Sequence, residues 1–417
     1  MSESVKPKYN KNNYERKCEM EIKLNLFETM ALVCIIFYFG IYLRKKISIL
    51  AKYCIPAPVI GGLIFAIIVF IMKITNFATI TLDTTLQNIF MTAFFTSIGY
   101  TASLKVLKSG GVKLFIFLGL AAILCVLQNV VGTSIAKLFD LSPLLGLCTG
   151  SIPMVGGHGT AGSFGPMLEE LGIKGATTVA FAAATFGLVM GSFIGGYVAR
   201  NLIDRYNIKT PKESHNHEIP LSDFHEDDVA ILCHSKLMNG CAFLFIAMGA
   251  GSVISGLIQD TGLTFPSYIG AMLAAAIIRN ICDALKVTIE EKEIEAIGSI
   301  SLAFFLTMAL MGLKLWELLD LALPLVVMLI AQVLLMGLFA YFITFRVMGK
   351  NYDAAVFASA NCGFGMGATP NAVANMDALT ERYGFAETPY FVVPLVGCLF
   401  IDFVNSACIT IFINLLK

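Results

Sequence analysis

The chain of 417 residues is 57% hydrophobic and only 14% charged, with zero formal net charge and a mean hydropathy of +0.78, which excludes an ordinary soluble domain. No basic stripe with interleaved aromatic residues is present, so nucleic acid is not an expected partner. The eleven cysteines are scattered through apolar segments without a Cys-x-x-Cys pair and read as small buried hydrophobes, giving neither a disulfide frame nor a metal site.

A polar tail, residues 1–25, precedes the first apolar window at 26–43. Further windows follow at 55–75, 86–104, 114–136 and 175–199. After a polar linker, 200–236, they resume at 237–259, 266–279, 296–316, 321–345 and 389–415. A bilayer core takes about 17–25 helical residues, so these windows predict ten spanning helices in an all-α polytopic membrane protein. Leu43-Arg44-Lys45 offers no small-residue cleavage site, so the first window is not read as a removable signal. Lys and Arg concentrate in the loop at 44–54 and its topological equivalents, which places those loops and the 200–236 linker in the cytoplasm and both termini outside. The tail, with Lys6, Lys8, Lys11, Arg16, Lys17 and Lys23, runs against that rule. His215, His217, His225 and His234 lie in the linker without metal-ligand spacing and read as solvated.

The chain also repeats itself. Pro58-Val59-Ile60-Gly61-Gly62 returns as Pro266-Ser267-Tyr268-Ile269-Gly270, Ala93-Phe94-Phe95 as Ala303-Phe304-Phe305, and Gly156-Gly157-His158 as Gly367-Ala368-Thr369. The spacing is nearly constant. Five helices per repeat is an odd number, so the second repeat, 237–417, enters the membrane from the opposite side to the first, 26–199. Inverted repeats each interrupted by glycine are the pattern of a secondary transporter.

The interruptions lie at about 142–166 and 353–375. The first holds Gly146, Gly150, Gly156, Gly157, Gly159, Gly162 and Gly165; the second centres on Gly363-Phe364-Gly365-Met366-Gly367-Ala368-Thr369-Pro370. Glycine and proline interrupt helices, with Gly156-Gly157-His158-Gly159 expected to hold no helical turn. Broken backbone at membrane depth is tolerated only inside protein or against water. Each stretch therefore reads as a re-entrant hairpin with its tip near the midplane. Helix N-termini there suit carboxylates, and unwound carbonyls suit Na⁺. Glycines serving only close helix packing are the plainer alternative.

The tips carry Ser151, His158, Thr160 and Ser163 in one hairpin and Asn361, Thr369, Asn371 and Asn375 in the other. In the last window, Asp402 is costly at membrane depth and thus a functional candidate, with Asn405 on the same face three residues on. The expected substrate positions are Ser151, Gly156, Gly157, His158, Gly159, Thr160, Ser163, Gly367, Thr369 and Asn371. The expected Na⁺ ligands are Asn361, Asn375, Asp402 and Asn405, with no other metal and no organic cofactor. Gln128, Asn129 and Gln332 are expected to hydrogen-bond between helices; for Thr96, Ser97 and Thr307 that role and substrate contact stand open.

These residues resemble the bacterial sodium/glutamate symporter family. The resemblance is carried by Ser151 with Gly156-Gly157-His158-Gly159-Thr160, by Ala184-Thr185-Phe186-Gly187-Leu188-Val189, and by Met308-Ala309-Leu310-Met311-Gly312-Leu313-Lys314-Leu315-Trp316-Glu317-Leu318. Met348-Gly349-Lys350-Asn351-Tyr352-Asp353-Ala354-Ala355-Val356, Cys362-Gly363-Phe364-Gly365, Gly367-Ala368-Thr369-Pro370 and Ile401-Asp402 extend it from about residue 26 to 417. Pro153-Met154-Val155 stand before the Gly-Gly pair where the family often has hydroxyl residues. The resemblance implies Na⁺-coupled L-glutamate uptake across the bacterial inner membrane by a homodimer whose transport domains move elevator-fashion. Rival readings are a Na⁺- or H⁺-coupled carrier of another carboxylate such as citrate or malate, an intramembrane enzyme using His158 as base near Ser151 or Ser163, and a channel.

Overall fold

The structure is a computed structural model that describes residues 20–52, 55–105, 111–211, 234–260, 266, 268–318 and 321–417. His215, His217, His225 and most of the expected tail lie outside the described residues.

The first half begins with strand β1 (Met20–Lys23) and helix α1 (Leu26–Lys46). Asn25 starts α1 through a capping box: its side chain accepts from the Phe27 and Glu28 amides, and the Glu28 carboxylate accepts from the Asn25 amide. Then come α2 (Ala57–Ile74), β2 (Ala78–Thr81), α3 (Thr85–Thr101) and α4 (Gly111–Leu138). A broken segment follows as α5 (Pro143–Leu147), α6 (Ser151–Met154) and α7 (Gly157–Glu170), and α8 (Ala176–Arg205) closes the half. β1 and β2 pair in parallel, a feature the apolar windows do not announce.

The second half runs through the same order of helices. α9 (His234–Gln259), α10 (Tyr268–Leu285) and α11 (Glu291–Met311) are followed by α12 (Ala322–Leu338), which continues through a π-helical turn at Phe339–Thr344 to Val347. The broken segment is α13 (Tyr352–Met366) and α14 (Thr369–Tyr383), and α15 (Glu387–Leu395) continues through a second π turn, Val396–Phe400, into α16 (Ile401–Leu416). The repeated proline-glycine motif acquires a packing reason. A side chain on Gly62 of α2 would strike Leu310 of α11, and one on its counterpart Gly270 of α10 would strike the α9 backbone at Gly251; Gly61, beside Gly62, packs on the α1 backbone at Ile36.

Ten spanning helices are expected from the windows. Among the described residues, eight are long and apolar enough to cross a membrane: α1, α2, α4, α8, α9, α10, α11 and the helix Ala322–Val347. The other two windows are helical but depart from the expectation. α3 has 17 residues and carries Gln87, Asn88, Thr92, Thr96 and Ser97. The last window is interrupted at Pro394 and the following π turn, which places Gly397 against Thr369. The first broken segment also differs in detail, since Gly157-His158-Gly159 open α7 and the break falls at Val155-Gly156. Gly157 takes φ +59, a left-handed conformation open to glycine, and this redirects the chain into the helix.

The helices sort into two packed bodies, each drawing on both halves. α1, α2 and α3 pack with α9, α10 and α11. The remaining helices, α4 to α8 and α12 to α16, form the other body, and the largest buried cluster runs through it and on to Phe95, Tyr268, Met272 and Phe305 of the first. Within the other body α8 packs on α13 along a glycine ladder that lets the backbones come close. Side chains on Gly187 and Gly191 would press on Met366 and Cys362 of α13, and one on Gly195 on Asn375 of α14 and then Ser359 of α13. Asn371 and Asn375 of α14 reinforce the seam by donating to the Leu188 carbonyl at 2.8 Å and the Gly191 carbonyl at 3.1 Å.

Gln128 of α4 donates to the Gly365 carbonyl at 2.6 Å, and Gln332 of α12 donates to the Gln128 carbonyl at 2.8 Å, the interhelical role expected for them. All three groups are buried away from water. Gln128→Leu should therefore destabilise the protein by about 1–2 kcal/mol through the orphaned Gly365 carbonyl. A lower thermal midpoint in detergent checks this, and an unchanged midpoint contradicts it.

Candidate functional site

Between the two bodies lies a cavity of about 760 Å³. One wall belongs to the first body: Phe94, Phe95, Ser97 and Tyr100 of α3, Arg279 of α10, and Glu291, Glu295, Gly298 and Ser299 of α11. The opposite wall is made by both broken segments, Val155 to Thr160 and Gly367 to Asn371, with Gly397, Ile401 and Asp402 from the last helix. The two breaks come together here, as a side chain on Gly157 would stand 3.1 Å from the Gly367 carbonyl.

The local chain path explains which tip presents donors. α7 begins at Gly157 and α14 at Thr369, and neither has a side-chain cap on its first-turn N–H groups. Such ends carry the positive pole of the helix dipole, the physical basis for holding a carboxylate; in α14, however, Pro370 carries no N–H and the Asn371 amide donates to the Ala368 carbonyl at 3.0 Å, so α7 is the end that presents the donors. His158 sits in the first turn of α7 with Nε2 3.1 Å from the Thr185 hydroxyl. That hydroxyl donates to the Phe181 carbonyl at 2.9 Å, so Nε2–H is the donor to Thr185 and Nδ1 is the free ring position. Thr369 owes its place to the π turn: any side chain at Gly397 would overlap its hydroxyl.

Of the expected substrate positions, Gly156, Gly157, His158, Gly159, Thr160, Gly367, Thr369 and Asn371 line this cavity. Ser151 and Ser163 are buried behind its wall. The Ser151 amide donates to Asn129 Oδ1 at 2.8 Å and its carbonyl accepts from Asn405 at 3.1 Å. Ser163 donates to the Thr160 carbonyl at 3.0 Å. Among the expected Na⁺ ligands only Asp402 lines the cavity. Asn361 donates to the Thr344 hydroxyl at 2.8 Å, and Asn375 to the Gly191 and Ser359 carbonyls. Asn405 and Asp402 thus share a helix face but not a compartment.

Several oxygens in this region are buried without a hydrogen-bond partner: Ser151 Oγ, Asn405 Oδ1, Asn361 Oδ1, Ser359 Oγ and Asn371 Oδ1. Buried acceptors are normally satisfied, and unpaired oxygens of this kind suit a hard cation. Among the described residues, no group of three or more His, Cys, Asp or Glu side chains could hold a transition metal.

Comparison with known proteins decides the family. A family model described as Sodium/glutamate symporter matches residues 22–385. The chain belongs to the sodium/glutamate symporter family. The sodium/glutamate symporters of Escherichia coli (strain K12) and Shigella flexneri are each 40% identical to it over 395 residues, covering 94% of this chain and 98% of theirs. That of Haemophilus influenzae is 37% identical over the same extent. A sodium/glutamate symporter is a transporter rather than an enzyme.

Two polar residues in or beside this symporter's cavity, Arg279 and Thr185, are not among the expected site residues. Arg279 is buried and bridges Asp283 at 3.1 Å and Glu291 at 2.6 Å, yet it ends an apolar window and reads as a flank. Thr185 resembles any helical threonine until His158 is seen beside it. Ser97 reaches the cavity because α11 has glycine opposite, at Gly298. Thr96 and Thr307 are buried and donate to carbonyls of their own helices.

Proposed function

We propose that this chain imports L-glutamate by Na⁺-coupled symport across the bacterial inner membrane. Membership of the family and the names of its relatives support the substrate and the ion. The observation that carries the mechanism is the meeting of both broken segments with Asp402 in one cavity between two bodies. Such an arrangement suits alternating access, in which the body bearing the tips slides against the other as an elevator.

The finer topology belongs to the same reading: inverted repeats at 26–199 and 237–417, re-entrant hairpins at about 142–166 and 353–375, a cytoplasmic linker at 200–236 and both termini outside. With that orientation, Pro56, Thr101, Arg279, Glu291 and Glu295 mark the cytoplasmic end of the cavity, so the conformation faces inward. The outer side is closed by Phe95 stacked on Tyr268, ring centroids 3.8 Å apart, with Phe164 edge-on to Tyr268. A homodimer completes the proposal, and cross-linking in native membranes tests it.

Substrate carboxylates meet the first-turn N–H groups of α7 with Thr160 and His158. Na⁺ uses the unpaired oxygens behind the wall, Asn405 Oδ1 with Ser151 Oγ, and Asn361 Oδ1 with Ser359 Oγ around Asn375. Glutamate carries one net negative charge, so one Na⁺ would make transport electroneutral. Each further Na⁺ draws about 2.3 kcal/mol from every 100 mV of membrane potential, which favours at least two.

His158→Ala should raise the glutamate half-saturation concentration about tenfold, as expected from the loss of one or two hydrogen bonds to a charged ligand. Initial uptake rates in proteoliposomes across a glutamate series measure it. An unaltered half-saturation concentration removes His158 from the site.

A further inference from the structure

The carboxylate of Asp402 faces a cavity built for an anion. Its first tip offers the N-terminus of α7 with His158 and Thr160, suited to negative groups. Among the described residues Asp402 has no ion-pair or hydrogen-bond partner, whereas Arg279, the cationic residue in the cavity wall, is engaged by Asp283 and Glu291. Glu291 and Glu295 are exposed and lie toward the mouth. A bare carboxylate deep in such a site repels a plain dicarboxylate, so it must serve a cation carried in with the substrate or beside it.

A second observation separates those two cations. Asn371 is fully buried and lines the same cavity. Its amide nitrogen is held by the Leu188 carbonyl at 2.8 Å and the Ser192 hydroxyl at 3.2 Å. That orients the side chain and leaves Oδ1 as an acceptor without a partner. Thr369, packed on Gly397 just before Asp402, adds a hydroxyl to the same wall. A carboxylate, an amide oxygen and a hydroxyl are what a donor-only ammonium with three N–H bonds requires. The unpaired oxygens of Ser151 and Asn405 are absent from the cavity lining and give Na⁺ a separate place.

We propose that Asp402, with Asn371 Oδ1 and Thr369, recognises the α-ammonium of the substrate rather than Na⁺, and so selects an amino acid over a dicarboxylate lacking the amine. The assignment rests on the glutamate reading and sharpens it. It also changes the expected role of Asp402.

Glutarate is glutamate without the ammonium and is the probe. Proteoliposomes holding the full chain take up labelled L-glutamate under an inward Na⁺ gradient, with unlabelled glutamate or glutarate as competitor. Native protein should prefer glutamate at least about 100-fold, the scale for an ammonium paired to a desolvated carboxylate, and a native preference below about tenfold overturns the proposal. Asp402→Asn should bring the two ligands within about tenfold of each other, chiefly by weakening glutamate, while the Na⁺ half-saturation concentration shifts less than about threefold. Asp402→Glu, which keeps the charge, should retain most of the preference. Thermal stabilisation of purified variants by each ligand in Na⁺ yields the same ratio when transport is slow. A preserved preference in Asp402→Asn, or equal weakening of both ligands with a shifted Na⁺ requirement, overturns the proposal. Absence of Na⁺-driven glutamate uptake by native protein would refute the symport reading itself, and is distinguishable because it needs no variant.

Discussion

Gly187→Val is expected to remove transport and to sharply reduce the folded protein recovered from membranes. A Cβ at this position would overlap the Met366 carbonyl oxygen, a backbone atom that cannot swing aside. Relief requires α8 to separate from α13, and that seam also carries the Asn371 and Asn375 hydrogen bonds to the Leu188 and Gly191 carbonyls. The combined loss is roughly 3 kcal/mol or more, at the upper end for overpacking. Met366 precedes the tip residues Gly367 to Asn371, so even a population that folds would present a displaced cavity wall. Gly196→Ala provides the control on the same helix. Nothing lies within 4 Å of a side chain there, and transport and thermal midpoint should hold. Equal tolerance of both substitutions, measured by uptake and by fluorescence-detected size exclusion, would refute the close seam.

Asn405→Leu should raise the Na⁺ concentration for half-maximal uptake at least about tenfold, because one cation ligand is deleted at near-constant volume. Asn405 is buried, donates to the Ser151 carbonyl at 3.1 Å, and leaves Oδ1 unpaired. If that oxygen coordinates Na⁺, excess Na⁺ should recover much of the maximal glutamate rate. A purely structural asparagine would instead lower the thermal midpoint and leave the Na⁺ dependence unmoved. That second pattern would remove Asn405 from the ion site. The two proposals for α16 are thus separable: Asn405 governs Na⁺ dependence and Asp402 governs the amine.

Much of the architecture is legible in the chain because the bilayer imposes long apolar windows, and because glycine marks both breaks and close seams. The proline-glycine motif repeated at Gly62 and Gly270 anticipates a close helix contact in each half. Asp402 stands out by cost alone. What stays hidden depends on contacts made across the chain. The π turn at Val396–Phe400 is tied to Thr369 against Gly397, and nothing local to Val396-Gly397-Cys398 announces it. The strand at Met20–Lys23 exists only through its pairing with Ala78–Thr81. Ser151 and Ser163 lie within a few residues of His158, but sequence proximity to a tip does not say which side of a short helix meets the cavity. Arg279 shows the converse, a residue read as the end of a window that the packing of α3, α10 and α11 brings into the cavity wall.

The most direct measurement is uptake of labelled L-glutamate into proteoliposomes, with an inward Na⁺ gradient set against matched K⁺ and choline gradients. Accumulation above equilibrium only with Na⁺, increasing when the interior is made negative, is the predicted result. Uptake that is indifferent to Na⁺, or absent from vesicles shown to contain inserted protein, would contradict Na⁺-coupled glutamate symport.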